Sequence, residues 1–222
     1  MNLRLDWCSY DAAKHAVMNW HYSKAMPTGK LVKIGIWEND KFIGVIIYSC
    51  GANRNLFKTY NLSMFEGCEL SRIALKEHKT EVSKMISISL KMLKSKCPGL
   101  KLIISFADQN QNHYGGIYQG ANWIFTGNGE SSAQWFYRGR WIHQRTMSDI
   151  MPIRMCKNIK KRKIKNKFKY LYPLNKEMRK QIEPLAKPYP KKNCDAGVIS
   201  SIPSVQGGGG GAEPTASLNN YA

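Results

Sequence analysis

The sequence predicts a mixed α/β domain: an antiparallel N-terminal hairpin leads into a central parallel βαβ unit, with helices on both faces of the sheet. Three stretches carry that reading. "KLVKIGIWENDKFIGVIIYSC" is two β-branched runs on either side of Glu38, Asn39 and Asp40, the pattern of an antiparallel hairpin. "CELSRIAL", "EVSKMISISLKMLKSK" and "LKLIISFAD" read as strand, helix and strand, and the second strand is apolar enough to be covered on both faces, as parallel strands are. "DAAKHAVMNWHYSK" sets Ala12, Ala13, Ala16, Val17 and Trp20 at helical spacing.

In chain order, the first helix takes Ser9 as its N-cap and ends near His21 and Tyr22. The hairpin follows, and then seventeen residues of little periodicity, "GANRNLFKTYNLSMFEG". Loops of that length inside a domain are usually functional or disordered, and Phe57, Tyr60 and Phe65 argue against disorder. In the crossover helix Val82, Met85, Ile86, Leu90 and Leu93 make an apolar stripe, and the crossover is expected to be right-handed. The carboxyl ends of the two parallel strands, near Leu75 and Asp108, define a crevice of the kind in which ligands bind. Beyond it "HYGGIYQGANW" surrounds Tyr118 with Gly115, Gly116 and Gly120, poor helix formers that let a second backbone or a ligand come close. "WIFTG", "AQWFYRG" and "RWIHQRT" then read as short strands extending the sheet antiparallel.

The 222 residues carry thirty-four Lys and Arg against fifteen Asp and Glu, a net charge of +19. That excess points to a polyanionic partner, nucleic acid first and an anionic membrane second. It is concentrated between Arg154 and Lys192, where fifteen Lys and Arg face only Glu177 and Glu183 and supply +13 of the total. There "KNIKKRKIKNKFKYLYP" interleaves Ile159, Ile164, Phe168, Tyr170 and Tyr172 with Lys160, Lys161, Arg162, Lys163, Lys165 and Lys167. The pattern suits phosphate contacts combined with stacking; a solvated basic surface is the alternative. The organisation expected is a catalytic domain over 1–150, a basic nucleic-acid-binding extension over 151–192 and a disordered tail over 193–222, which is rich in Gly. No apolar run is long enough to span a bilayer, so a soluble, cytoplasmic protein is expected. The six cysteines are scattered without a CxxC pair, which fits reduced thiols.

"GGIYQGANW" is similar in register to the helix that follows the last parallel strand in GNAT acyltransferases, with Ile117 and Tyr118 at the Leu-Tyr pair and Asn122 and Trp123 at the Gly-Phe pair. With "WHYSKAMPTGKLVKIGIWE", "CELSRIAL", "CPGLKLIISFAD" and "HYGGIYQGANWIFTG" added, residues 7 to 150 resemble the Mom family of bacteriophage DNA-modification proteins, a GNAT-like family. The resemblance implies a transferase that installs a carbamoylmethyl group on the exocyclic amine of adenine in double-stranded DNA, protecting phage DNA from restriction. It also implies that Tyr118 protonates a leaving group and that His21 and Tyr22 belong to the active site.

Read as residues, Asp108 at the end of an apolar strand is a general base, a holder of the substrate amine, or a helix cap. Arg72 interrupts a strand and needs an anionic partner; Asp108 is preferred over Glu69, which lies on the opposite face of a regular strand. Phe57, Tyr60 and Trp135 are candidates to stack on an extruded adenine. Acyl-CoA enzymes enter the crossover helix through a glycine-rich loop, whereas this chain reads "KEHKTEVSK". Lys76, Lys79, Thr80 and Ser83 there either bind an anionic, acyl-CoA-like donor or form a capping segment with Thr80 as N-cap. Taken alone, a histidine beside Trp20 is more often a structural residue than a ligand; His21, His113 and Asp108 can be combined into a two-histidine, one-carboxylate iron site, but nothing in their spacing demands it. The donor and the oligomeric state stay open. A non-catalytic nucleic-acid-binding protein on a GNAT-like scaffold and an ordinary N-acetyltransferase are the competing readings.

Overall fold

Near-continuous apolar runs build the central strands of the sheet, and helical stripes close it from both sides. The computed structural model describes residues 2–51, 53, 55–129 and 132–191, so the expectation of disorder over 193–222 lies outside the described residues. Strand β1 (Leu3–Trp7) precedes helix α1 (Tyr10–Trp20), which Ser9 caps by accepting a hydrogen bond from the Ala12 amide. Strands β2 (Leu31–Glu38) and β3 (Lys41–Ser49) form the expected hairpin, with Asn39 and Asp40 both at positive φ as a two-residue turn of matching twist requires. Strand β4 (Gly67–Leu75), helix α2 (Val82–Lys96) and strand β5 (Leu102–Ala107) form the βαβ unit, and β4 and β5 pair in parallel. A single helical turn, α3 (Gly116–Gln119), and strand β6 (Ile124–Asn128) follow.

The rest of the chain departs from the simple extension of the sheet. Strands β7 (Ser132–Tyr137), β8 (Arg140–His143) and β9 (Lys161–Ile164) make a separate three-stranded sheet in the order β8-β7-β9, with helix α4 (Gln144–Ile150) between β8 and β9 in sequence. Strand β10 (Phe168–Pro173) then enters the main sheet between β5 and β6, antiparallel to both, giving the order β1-β2-β3-β4-β5-β10-β6. The segment read as a basic extension from residue 151 therefore supplies an inner strand of the sheet. "AQWFYRG" and "RWIHQRT" do not extend that sheet, because β10 takes the position beside β5 and the next hairpin closes on itself.

Helix α5 (Lys176–Ile182) completes the fold. On one face α2 and α3 cover a core that includes Ile46, Tyr48, Leu70, Met85, Ile86, Trp123 and Tyr170. On the other, Ala13, Ala16 and Val17 of α1 pack on Val45, Ile47 and Ala74, while Met178 and Ile182 of α5 pack with Phe57, Tyr60, Leu102, Ile104 and Leu171. Helices thus lie on both faces, as predicted. Phe57 and Tyr60 of the long loop anchor it to this second core and serve packing, whereas Phe65 is exposed. Among the described residues no helix is long and apolar enough to cross a membrane.

Candidate active site

The cleft begins where two parallel strands separate. Strand β4 pairs with β5 only over Gly67–Leu70 against Leu102–Ser105; beyond that point β4 stays with β3 and β5 with β10. The gap holds a cleft of about 580 Å³, lined by His21 and Tyr22 after α1, by Leu70 to Ile73 of β4, and by Asn112 to Tyr118. Carboxyl ends of parallel strands that part in this way leave unpaired backbone and room for a ligand.

A β-bulge at Ser71 shapes the floor. Tyr48 pairs with Leu70 and Ile47 with Arg72, leaving Ser71 without a partner in β3, while its hydroxyl meets that of Ser49 at 2.6 Å. The extra residue reverses the alternation. Cys68 and Leu70 before it, and Ile73 and Leu75 after it, all join the core under α2, whereas Ala74 joins the core under α1. Arg72 thus shares a face with Ala74, and its guanidinium donates to the carbonyls of Ala25 (3.2 Å) and Ser71 (2.6 Å). The expected Arg72–Asp108 ion pair is not formed, and the parity that set Glu69 on the face opposite Arg72 does not survive the bulge.

Asp108 turns to its own loop. One oxygen accepts from the backbone and side-chain amides of Asn110, both at 3.0 Å, which makes it the cap of the turn Gln109–Gln111; the other lies 3.5 Å from Lys167 Nζ. Burial pushes the carboxyl up, but the Asn110 amides and Lys167 outweigh it and hold it below its ordinary value. It stands beside the cleft, close enough that its charge raises the Tyr22 phenol.

Tyr118 reaches the fork itself. Ser105, the one hydroxyl in the apolar strand "LIISFA", has its Oγ 2.9 Å from the Leu70 carbonyl and 2.8 Å from the Tyr118 hydroxyl. A serine has a single proton, and the carbonyl can only accept, so Ser105 donates to Leu70 and Tyr118 donates to Ser105. Burial pushes the phenol up to about 12, partly offset by the bond with Ser105, and keeps it protonated near neutrality. Its ring packs 5.2 Å from Trp123 and 5.1 Å from Tyr170.

The three glycines around it differ in purpose. A Cβ on Gly115, where φ is +81°, would meet the Tyr170 ring at 2.3–2.5 Å; one on Gly120 would touch Ser83 of α2 at 3.1 Å; one on Gly116 would meet nothing within 4 Å. Tyr170 donates from its hydroxyl to the Tyr114 carbonyl (2.6 Å) and accepts from Gln119 (3.1 Å), so it pins both ends of the Tyr118 turn.

On the facing wall His21, Tyr22 and His113 form a row, with ring centroids 4.3 Å and 5.7 Å apart. The Ser23 amide donates to His21 Nδ1 (3.1 Å), which fixes that nitrogen as an acceptor and leaves the proton on Nε2. Burial, followed by the charges of Arg72, His113 and Lys167, lowers the imidazole to about 4. Burial and then Asp108 raise the Tyr22 phenol, with Arg72 opposing. Near neutral pH, Arg72, His21 Nε2 and Tyr22 are therefore all hydrogen-bond donors, and Tyr118 becomes one when its hydroxyl turns from Ser105, an arrangement suited to a carbonyl or to developing negative charge.

The His21 result carries a pH prediction. With a folded value near 4 and an ordinary value of 6.5, the unfolded chain binds this proton first. The stabilisation from neutral His21 is complete above about pH 6.5 and declines as pH falls toward 4. Denaturant unfolding at pH 7 and pH 5 is expected to show a larger loss in the wild-type protein than in His21→Asn, and the His21 ring proton should titrate near pH 4. Titration near 6.5 would remove this account.

The profile of the Mom protein family matches residues 2–191, which spans every element described above. The chain belongs to the Mom family. A curated relative, the methylcarbamoylase mom of Escherichia phage Mu, is 28% identical over 209 residues, covering 85% of this chain and 84% of its own. Among solved structures, an N-acetyltransferase from Staphylococcus aureus is similar at TM-score 0.47 and 10% identity over 78% of this chain and 99% of its own. An aminoglycoside acetyltransferase solved with coenzyme A and kanamycin gives TM-score 0.49 and 10% identity over 82% and 98%.

In this Mom chain an acid from the hairpin sits just before the start of α2. The Glu38 carboxylate accepts from the amides of Lys79 (3.1 Å) and Thr80 (2.8 Å) and from the Thr80 hydroxyl (2.5 Å), and those bonds hold it below the ordinary carboxylate value. Thr80 is buried by this contact, and the N-cap is Glu81, which makes no side-chain cap bond. Two amides just before the helix, those of Lys79 and Thr80, are thus taken by an anion of the chain's own. Ser83 instead packs at Gly120 and accepts from Ser87 through its carbonyl, and Lys76 lies over the Trp20 ring at 5.6 Å. Of the residues expected to hold an acyl-CoA-like donor, Thr80 and the Lys79 amide are thus occupied by Glu38, and Lys76 by the Trp20 ring.

Three placements differ from the stacking role expected of them. Phe57 and Tyr60 are 1% and 4% exposed within the α5 core, and Trp135 is 3% exposed under α4, so none offers a free ring face. His21, His113 and Asp108 do not gather as a metal-binding group: no cluster of three such ligands occurs among the described residues, His21 Nδ1 is taken by Ser23, and Asp108 by Asn110 and Lys167. Lys160, Lys161, Arg162, Lys163, Lys165 and Lys167 are all exposed. Lys165 is tied to the cleft loop, its amide donating to Asn110 (3.3 Å) and its carbonyl accepting from Asn110 (3.2 Å). The sequence does not single out Ser105 or Glu38 as site residues and offers His113 only as a member of an iron site; a lone serine in an apolar strand is the available signal for Ser105.

Proposed function

We propose that the chain is a transferase that adds a carbamoylmethyl group to the exocyclic amine of adenine in DNA and so protects phage DNA from restriction. The observation that carries this reading is the family match over 2–191, which includes both walls and the floor of the cleft. The adenine amine is a poor nucleophile because its lone pair is delocalised into the ring, so positioning must supply much of the rate. In the reaction the bond from nitrogen to the methylene carbon forms, the carbon's bond to its donor breaks with the electron pair leaving on the donor, and the amine loses a proton. His113, exposed on the cleft and not locked as a donor by a backbone amide, receives that proton. Arg72 and His21 Nε2 hold the carboxamide oxygen. Tyr118 turns its proton from Ser105 to the departing group while Ser105 turns its own from the Leu70 carbonyl to the phenolate, a switch requiring only rotation of the two hydroxyls. Asp108 orders the loop that carries His113, whose amide donates to the Asp108 carbonyl at 3.1 Å. The exposed cations from Lys160 to Lys167 contact DNA phosphates.

A second reading, a DNA-binding protein on a degenerate transferase scaffold, is favoured by Glu38 filling the start of α2. Nucleoside mass analysis of DNA from cells expressing the gene separates the two. An adenosine heavier by one carbamoylmethyl unit is expected. Its absence, with DNA retention intact, would leave the binding protein standing.

A further inference from the structure

Strand β9 sorts its cations by face. In the antiparallel register Lys161 lies opposite Trp135 and Lys163 opposite Ala133, on the side packed against α4, whereas Arg162 lies opposite Gln134. Continuing the register sets Lys160 opposite Phe136, whose amide donates to the Lys160 carbonyl at 2.8 Å. Across β7, Phe136 pairs with Trp141 of β8. One face of this small sheet thus presents Gln134, Phe136, Trp141, Arg162 and Lys160, and no helix covers it among the described residues.

Among the described residues the guanidinium on that face is held in place by an amide and a ring, with no acid bound to it. Arg162 Nε and Nη2 both donate to Gln134 Oε1, at 2.9 and 2.7 Å, and the group lies 4.2 Å from the centroid of the Trp141 ring. Phe136, 43% exposed, meets Trp141 edge-on at 5.4 Å. A surface arginine ordinarily moves freely or finds a carboxylate; this one is fixed over a ring by an amide, with no carboxylate paired to it among the described residues. Its remaining N–H groups and the neighbouring Lys160 make the face attractive to phosphate, and the flat guanidinium–indole pair is a stacking surface.

We infer that this face seats an unstacked base of a DNA strand, with Lys160 and Arg162 on the flanking phosphates. The inference rests on DNA being the substrate and adds where a strand opened for modification is held. The same chain segment continues through Lys165 to the Asn110 loop at the cleft, so a base held here belongs to the DNA being modified.

Fluorescence anisotropy on the full chain tests this with three labelled DNAs: a paired duplex, a duplex with one unpaired base, and a single strand. The wild-type protein is expected to prefer the latter two. Trp141→Ala should weaken single-strand binding about 10-fold, within the range for losing one base–aromatic stack, without changing the salt slope. Arg162→Lys, which keeps the charge but not the plane, should lose the preference likewise. Lys160→Ala should weaken all three alike and lower the slope by about 0.7 on single strands. If Trp141→Ala and Arg162→Lys, both folded by circular dichroism, bind the three DNAs as the wild type does, the inference is wrong. Modified adenosine in cells expressing those variants would then show that the transferase reading stands without it; no DNA binding by the wild type would sink both.

Discussion

Tyr118→Phe is expected to reduce the yield of modified adenosine about 100-fold or more, the usual consequence of losing a positioned proton donor. Stability should change little. The ring keeps its contacts with Trp123 and Tyr170, and Ser105 keeps the Leu70 carbonyl, so only one hydrogen bond, about 1 kcal/mol, is lost. DNA retention should be unaltered because the phenol is buried at the base of the cleft, 7% exposed. Ser105→Ala offers a finer reading: the phenol remains but the hydroxyl that stabilises its anion does not, so activity should fall part of the way with the fold intact. Wild-type yield from Tyr118→Phe would show that the fork of the strands is not where the proton is supplied.

Gly115→Ala is expected to lower stability by about 2–5 kcal/mol, combining a left-handed backbone forced on alanine with an added carbon driven into a packed ring. For a domain of this size the melting temperature should fall roughly 5–15 °C. Activity should fall as well, because displacing Tyr170 releases Tyr114 and Gln119, which frame the Tyr118 turn. Gly116→Ala, one residue on, adds its carbon to open space and should leave the melting temperature nearly unchanged. Equal melting temperatures for the two variants would mean that Tyr170 does not approach Gly115 as described.

The hairpin, the parallel pair, the capped first helix and the tyrosine turn were legible because each depends on local chemistry: β-branched runs about a turn, one apolar stripe, Ser9, and Tyr118 among glycines. What depends on distant pairing was not. "FKYLYP" alternates Phe168, Tyr170 and Tyr172 with Lys169 and Leu171, a strand's period, yet its place in a run of cations made the rings look like stacking groups. In the fold those three rings lie against the core beneath α2 and α3. "LRLDW" at the start alternates in the same manner and forms β1. The bulge at Ser71 leaves no mark in composition, and it changes which face Arg72 occupies. Glu38, read as part of a hairpin turn, reaches forty-two residues along the chain to Thr80, a distance that no motif encodes.

Because β10 lies between β5 and β6, the first 150 residues cannot assemble the molecule by themselves. During synthesis a polypeptide emerging from the ribosome would carry two unzipped edges until its last quarter appears, which invites either a chaperone or a neighbour's strand into the vacancy. A truncation near residue 154 should accordingly yield insoluble material rather than a tailless enzyme, and a short synthetic peptide spanning 165–191, supplied in trans, is the natural candidate to restore it.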